Sequence, residues 1–566
     1  MAEKFSDFVY KRPDDAELIS FLSKELSTLR AATAAEEQIE SWRRAEAAIN
    51  AYSDQGTLAH FRASVDSRDE FYAAEETWHY EKMPLLQQAA QAFYSALLHS
   101  PYRPQLELAA GGKIFLDIAL QEQLINEAVL PDLQKENMLT QEYGNLRAAL
   151  RIPWNGQSLT LAQLAPYKAS QDAEERHAAV RGETAAFAEA LPEFDRIFDE
   201  LVRTRREIAQ KLGRESFVDV GYMRMQRLDY GRSEVDAYRR QVLEHVVPLT
   251  VELYERQAER LGVKKLTFYD QALQTRSGNP MPIGGEAELV AKALRMYREL
   301  SPETGEFFAV MAERELMSLT ATEGKRGGGF CCSFDTLGLP AIFANFNGTR
   351  DDVETLTHEV GHAFQYWMSR DIFPAGNRWP SMESAEIHSM SMEFIAWPWM
   401  ESFFGEQTEL FKFLHLSGAV QFLPYGVLVD HFQHEIYERP DLNPAERRGV
   451  WRELERMYLP ATDYADLEIL DGGAYWFRQG HIFQSPFYYI DYTLAQVCAL
   501  QFWQKMRLDR EMAWQDYLML CRQGGRLPFR QLTAVGNLLS PFEPNTLAAV
   551  IAPIADYLAA IPDADL

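Results

Sequence analysis

The 566-residue sequence predicts a mainly α-helical protein carrying one small β-sheet. Three observations carry that expectation. Apolar residues recur at three- and four-residue steps through most of the chain, among abundant Ala, Glu, Leu and Gln. The breaks between these stretches fall at Gly, Pro, Asn and Ser clusters. The best strand candidates, bounded by turn residues, are two runs between 330 and 348.

Residues 16–51, 67–98 and 116–150 read as helix, with breaks at Asp54-Gln55-Gly56, Ser100-Pro101 and Pro153-Trp154-Asn155-Gly156. The last of these precedes Ser158-Leu159-Thr160-Leu161 and reads as a short hairpin. Residues 170–213, 233–261 and 286–316 continue the helical pattern. A shift in composition suggests a helical N-terminal part, 1–175, and a second part, 176–566, that holds the chemistry. His60, His79 and His99 read as ordinary surface or core histidines.

The glycine run Gly327-Gly328-Gly329 leads into Phe330-Cys331-Cys332-Ser333-Phe334. No Gly-Lys-Ser/Thr follows and no helix opens there, so it is a poor phosphate loop. Gly328 and Gly329 read instead as positions where a backbone or ligand comes close. The next run, Ala341-Ile342-Phe343-Ala344-Asn345-Phe346-Asn347, precedes a helix. Ala344, Asn345 and Phe346 are expected to offer a free strand edge to an extended peptide, through main-chain hydrogen bonds.

Composition excludes several function classes. The net charge of −27 argues against nucleic acid, whose phosphates need a basic stripe. No uninterrupted apolar run reaches membrane-spanning length. The first seven residues have no apolar core, so no secretory signal is expected. Four cysteines, 331, 332, 498 and 521, cannot make a dense disulfide framework, and none has a C-x-x-C partner. Cys331 and Cys332 would point to opposite faces of a strand. Reduced thiols and a cytoplasmic location are the expectation.

The chemistry centres on His358-Glu359-Val360-Gly361-His362, an H-E-x-x-H pattern. Its flanking residues Val353, Leu356, Val360, Phe364 and Trp367 have the spacing of a buried helical face. His358 and His362 stand one turn apart, so both imidazoles leave one side of the helix and can hold one metal ion. Glu359 is rotated by about 100°, near the metal without ligating it, where it can take a proton from bound water. After His362 come Gln365 and Met368, which rules out a third histidine from the same helix. A carboxylate from the segment 382–393 is the alternative. Glu386 is preferred; Glu393, two turns on, would support from behind; Glu383 is a second candidate and His388 a weaker one. His431 and His434 are also three apart, but amphipathic spacing explains them better than a second metal site.

Residues 471–492 are rich in aromatic and polar tips. Tyrosine hydroxyls and His481 are suitable donors to an oxyanion, although aromatics at helical spacing are more often core.

With Phe346-Asn347-Gly348-Thr349, then the H-E-V-G-H pattern, then Ala385-Glu386-Ile387, the chain resembles the zinc oligopeptidases related to thimet oligopeptidase. Within these it is most similar to the oligoendopeptidase F and Pz-peptidase branch. The resemblance implies a two-lobed helical metallopeptidase with a deep central channel and a small sheet beside the H-E-x-x-H helix. It implies one Zn²⁺ per chain on His358, His362 and Glu386, with Glu359 as general base and short peptides as substrates. It places the oxyanion-stabilising His and Tyr within 481–492. There the spacing departs from that of thimet oligopeptidase; Tyr489 is the first choice, with Tyr488 and Tyr492 behind it. Two rivals remain: a non-catalytic peptide-binding protein of the same fold, and a zinc hydrolase of non-peptide amides or esters. Turnover of a quenched peptide separates the first from a peptidase, and a panel of substrates of different lengths separates the second.

Overall fold

Local capping rules start many of the helices. Asp14 accepts from Glu17 N at the head of α1 (Asp15–Ala31), and Asp69 accepts from Phe71 N and Tyr72 N at the head of α3 (Glu70–Leu98). Between them α2 (Ala35–Val65) runs unbroken through the expected break at Asp54-Gln55-Gly56. The tertiary structure accounts for both breaker residues. Asp54 accepts from the backbone N–H groups of Asp335 and Thr336, at 2.7 and 3.0 Å, and from the Thr336 hydroxyl. Gly56 lets the His79 ring come in, since a Cβ there would sit 3.3 Å from it. The chain breaks instead at Ala32–Ala34, and again at Ser301, which caps the helix Pro302–Glu313.

The computed structural model describes residues 3–566 and is 71% helical, so the mainly α expectation holds. Its contacts divide into two units. The first contains residues 1–122, 281–406 and 502–538; the second contains 123–280, 407–501 and 539–566. The compositional boundary at 175/176 lies inside the helix Ala173–Lys211 and inside the second unit.

In the first unit, Leu22, Leu29, Trp42, Phe93 and Leu97 form a core shared by α1, α2 and α3. The unit also contains a three-stranded sheet in the order β3-β5-β4, with β3 Met317–Thr320, β4 Phe330–Phe334 and β5 Leu339–Phe346. β3 is parallel to β5, and β4 is antiparallel to it with Phe330 opposite Phe343. The H-E-V-G-H helix, Asp351–Ser369, packs on β4 and β5 and against the helix Met382–Ile395, called here the Glu386 helix.

This topology bears on the expectation for Ala344, Asn345 and Phe346. β5 is the central strand, and β4 pairs with it only as far as Phe343, opposite Phe330. On one side Phe346 O accepts from Ala321 N. On the other, the Asn345 side-chain amide donates to Arg326 O and Gly328 O, at 2.7 and 2.8 Å, and holds the glycine loop against the strand. Ala344 is fully buried. The strand edge left without a strand partner on that side of the sheet belongs to β4.

In the second unit, Asn155 and Gly156, both with positive φ, turn β1 (Ile152–Trp154) back onto β2 (Gln157–Leu159), as expected for an Asn-Gly hairpin. Buried Arg205 donates to Glu136 and to the Tyr437 hydroxyl, each at 2.7 Å. All four cysteines are free. Among the described residues, no helix is long and apolar enough to cross a membrane.

Candidate active site

A tight turn launches the H-E-V-G-H helix from the sheet. The Asp352 carboxylate accepts from Asn347 N at 2.9 Å and Gly348 N at 2.8 Å, while Asn347 Oδ1 accepts from Thr349 N and Oγ1. Gly348 has φ +87°, a left-handed conformation that glycine adopts without strain. Val353, Leu356, Val360 and Phe364 are buried, which fixes the rotation of the helix and hence the direction of its histidines. Trp367, the last residue of that face, is only half-buried and carries the Arg370 guanidinium on its ring.

The Glu386 helix approaches closely because residue 361 is glycine. A Cβ at that position would lie 2.5 Å from His388 O and 2.6 Å from Ser389 Cα, both backbone atoms. The approach brings Glu386 Oε2 to 3.3 Å from His358 Nε2 and 3.5 Å from His362 Nε2. One ligand atom from each of His358, His362 and Glu386 lies within 4.8 Å of the others, the only such group among the described residues. Glu383 and His388 are outside it. His388 is fully buried, with Nδ1 3.7 Å from Cys521 Sγ. His431 and His434 also stay out: His431 Nδ1 meets the Tyr458 hydroxyl at 3.0 Å, and His434 Nε2 meets that of Tyr222 at 3.1 Å.

Second partners hold the three in place. Glu393 Oε1 lies 2.8 Å from His358 Nδ1, and Ser389 Oγ donates to Glu386 Oε2 at 2.9 Å. With Nδ1 bound to a carboxylate, His358 turns Nε2 towards Glu386, the arrangement by which a metal-ligating histidine is usually oriented. Ser389 was not singled out by the sequence; its position three residues after Glu386 on a helix was the available signal.

The electrostatics favour a cation at this point. Burial opposes charge on His358, yet its contacts with Glu386 and Glu393 hold its pKa well above the ordinary value. Burial likewise opposes the Glu386 carboxylate, and His362 and His358 hold its pKa well below. The donor set, two imidazole nitrogens and one carboxylate oxygen, is that of a His₂Glu zinc site.

Glu359 lies beside the glycine loop that precedes β4. Burial raises its pKa, against the charges of His358 and His362, and its buried Oε2 has no hydrogen-bond partner. Gly329 closes on the same carboxylate: a Cβ there would be 3.1 Å from Glu359 Oε1. The close approach expected at the glycine run therefore occurs at Gly329. Gly328, with φ +96°, makes the turn before it.

The aromatic stretch forms a second cluster, in the second unit. The His481 ring lies 4.9, 5.5 and 5.8 Å from those of Tyr489, Tyr488 and Tyr492. Tyr489 also packs on Phe422 and Tyr425, and burial raises its pKa. Two residues missed in the sequence orient the histidine. The Tyr425 hydroxyl donates to Gln479 Oε1 at 2.9 Å, which leaves Gln479 Nε2 to donate to His481 Nδ1 at 2.7 Å. His481 Nδ1 is then an acceptor, and the ring proton sits on Nε2. Phe487, at φ +68°, is held between Gln433 Oε1, which accepts from its N–H at 2.9 Å, and Arg227, which donates to its carbonyl.

Comparison with known proteins identifies the family. A family model described as peptidase family M3 matches residues 306–537, and one described as the peptidase M3 N-terminal domain matches residues 5–125. A solved structure provisionally named oligoendopeptidase F is 46% identical, with 100% of both chains covered and a TM-score of 0.95. Pz peptidase A, solved with an inhibitor, is 45% identical over 99% of this chain and 100% of its own, also with a TM-score of 0.95. A provisionally named oligoendopeptidase F from Bacillus anthracis strain Ames is 43% identical with 100% of both chains covered and a TM-score of 0.91. Comparison with curated proteins gave no match. The chain belongs to peptidase family M3.

Proposed function

We propose that this protein is a zinc-dependent endopeptidase that hydrolyses internal bonds of short peptides. The carrying observation is the convergence of His358 Nε2 and His362 Nε2 on Glu386 Oε2, with the unpartnered Glu359 Oε2 on the same helix. His358, His362 and Glu386 would hold one Zn²⁺, oriented by Glu393 and Ser389. A zinc ion bound there supplies Lewis acidity that acidifies water and polarises a carbonyl. Glu359 takes the proton of the attacking water and returns it to the leaving amine. His481, with its proton on Nε2, and a tyrosine, Tyr489 first and Tyr488 or Tyr492 after it, donate to the oxyanion. An extended peptide pairs with the outer edge of β4 beside Gly329. Pz peptidase A, 45% identical, has been solved with an inhibitor, which supports the peptidase reading.

The test is cleavage of an internally quenched peptide by the purified protein. Activity should vanish with chelator and return with zinc. Glu359→Gln should retain metal and lose about 10³-fold or more in kcat, the scale of a proton-transfer group acting with its partners. A Glu359→Gln protein that holds zinc and cleaves at the parent rate removes the base assignment. Cleavage of small amides at rates indifferent to peptide length would favour the non-peptide hydrolase.

A further inference from the structure

We propose that the apolar cavity between α1, α2, α3 and the β4 face is a subsite for one large, uncharged side chain of the peptide substrate. The proposal rests on the peptidase reading and adds a preference to it. The cavity has a volume of about 600 Å³ and is lined by Ile49, Met83, Leu86, Ala90, Phe330 and Cys332, among others. That volume is within the range of ordinary ligand pockets.

Three observations tie it to peptide cleavage. The first is alternation along β4. Gly329 lies against Glu359, while Phe330 and Cys332, one and three residues further on, line the cavity. Successive residues of a strand face opposite sides of the sheet. A peptide paired along the outer edge of β4 alternates in the same way. With its scissile bond near Glu359, one of its next few side chains is therefore directed to the cavity side.

The second is charge. The one acid on the cavity wall, Glu76, is fully engaged: Arg326 donates to both its oxygens, at 2.7 and 2.6 Å, and His60 Nδ1 lies 2.7 Å away. No carboxylate is left to select a lysine or arginine side chain. What remains for recognition is mostly aliphatic and aromatic surface with a few neutral polar groups such as Ser53, Thr57 and Gln87, suited to Phe, Tyr, Leu or Met.

The third is rigidity. The same Arg326 anchors the loop that carries Gly328, through its backbone carbonyl to Asn345 and its guanidinium to Glu76. The cavity wall and the strand beside the base are thereby one braced structure, as a register-setting subsite requires.

The experiment uses the zinc-loaded, full-length protein and two series of quenched peptides, identical except for Phe or Ala scanned through the positions flanking the cleaved bond. The parent should prefer Phe over Ala at one position by about tenfold or more in kcat/KM. Thr57→Phe and Ala90→Phe fill the cavity from α2 and from α3, and each should bring that ratio to within about twofold while leaving the Ala peptide little changed. Equal loss on both peptides by a variant that melts like the parent, or an unchanged ratio in both variants, overturns the subsite. A variant with a collapsed melting temperature is set aside and the other wall decides. A parent that cleaves neither series overturns the peptidase reading and the subsite together, a pattern distinct from failure of the subsite alone.

Discussion

At the scale of single residues, the site depends on which nitrogen of each histidine carries its proton. His358 has Glu393 at Nδ1, and His481 has an amide donor at the same atom. These opposite partners suit opposite tasks. A carboxylate at Nδ1 leaves His358 Nε2 as a lone pair for a metal, whereas a donor at Nδ1 leaves His481 Nε2 as a hydrogen-bond donor. Gln479 is thus expected to act as a positioning residue. Gln479→Leu should lower kcat by about tenfold with zinc content and KM nearly unchanged, the size of effect expected when one donor is misoriented and not removed. Gln479→Glu gives a sharper test. A carboxylate at Nδ1 draws the ring proton to that side, so Nε2 keeps its proton only while His481 is cationic. Activity should then fall on the alkaline side of the new His481 pKa, where the parent holds level. An unchanged pH–kcat profile in this variant would show that the tautomer is irrelevant.

At the scale of elements, the crossing of two helices sets the metal geometry, and Gly361 sets the crossing. The nearest atoms to a Cβ there belong to the backbone of His388 and Ser389, which cannot rotate away as a side chain could. Gly361→Ala should therefore push the Glu386 helix outwards and separate Glu386 from the two imidazoles. The expected result is a loss of zinc affinity of about 10-fold or more, on the scale seen when groups that orient ligands are removed, with helicity by circular dichroism retained. Parent-like zinc affinity would mean that the helices can slide at no cost. The elements also show where sequence reading stops. The H-E-x-x-H helix, its buried face, the Asn-Gly hairpin and the strands at 330 and 341 were legible because each rests on local periodicity or turn chemistry. Asp54 and Gly56 misled because their reasons lie elsewhere: a carboxylate capping residues 335 and 336, and a glycine that admits a histidine ring. Strand order was not legible either. Nothing in 341–347 marks it as central, because β3, which occupies one of its sides, is four residues of unremarkable composition. Of the candidate site, the spacing of His358, Glu359 and His362 was legible and Glu386 was one candidate among several, while the contacts of Gln479, Tyr425 and Ser389 are encoded by no motif.

At the scale of the molecule, the two units are each assembled from three separate segments, a pattern that no shift in composition along the chain reveals. The same long-range packing builds buried polar groups that couple stability to pH. In the second unit, burial and then the Arg239 charge lower the pKa of His431 to about 4, with Asp236 opposing; burial and nearby arginines also hold His434 well below its ordinary value. The His431 ring is neutral in the folded protein at pH 5 to 7, whereas the unfolded chain takes up its proton near 6.5. At these groups the unfolded state therefore binds more protons in this window, and the stability they contribute falls as pH falls from about 7 towards 4. A different group takes over below that. Glu136 is buried, yet Arg205 and Arg224 lower its pKa to about 2, so the stability it contributes above about pH 4.5 is lost between there and pH 2. The upper window can be tested by itself. His431 is 26% exposed, so its share lost by pH 5 is on the order of 1 kcal/mol after allowance for solvent screening. In His431→Gln, whose amide can still meet the Tyr458 hydroxyl but cannot titrate, the apparent melting temperature should fall less between pH 7 and pH 5 than in the parent. The two proteins should then run parallel between pH 4 and pH 2, where Glu136 titrates in both. Parallel curves in the upper window as well would mean that His431 is protonated in the folded protein at an ordinary pKa, and that its burial costs nothing.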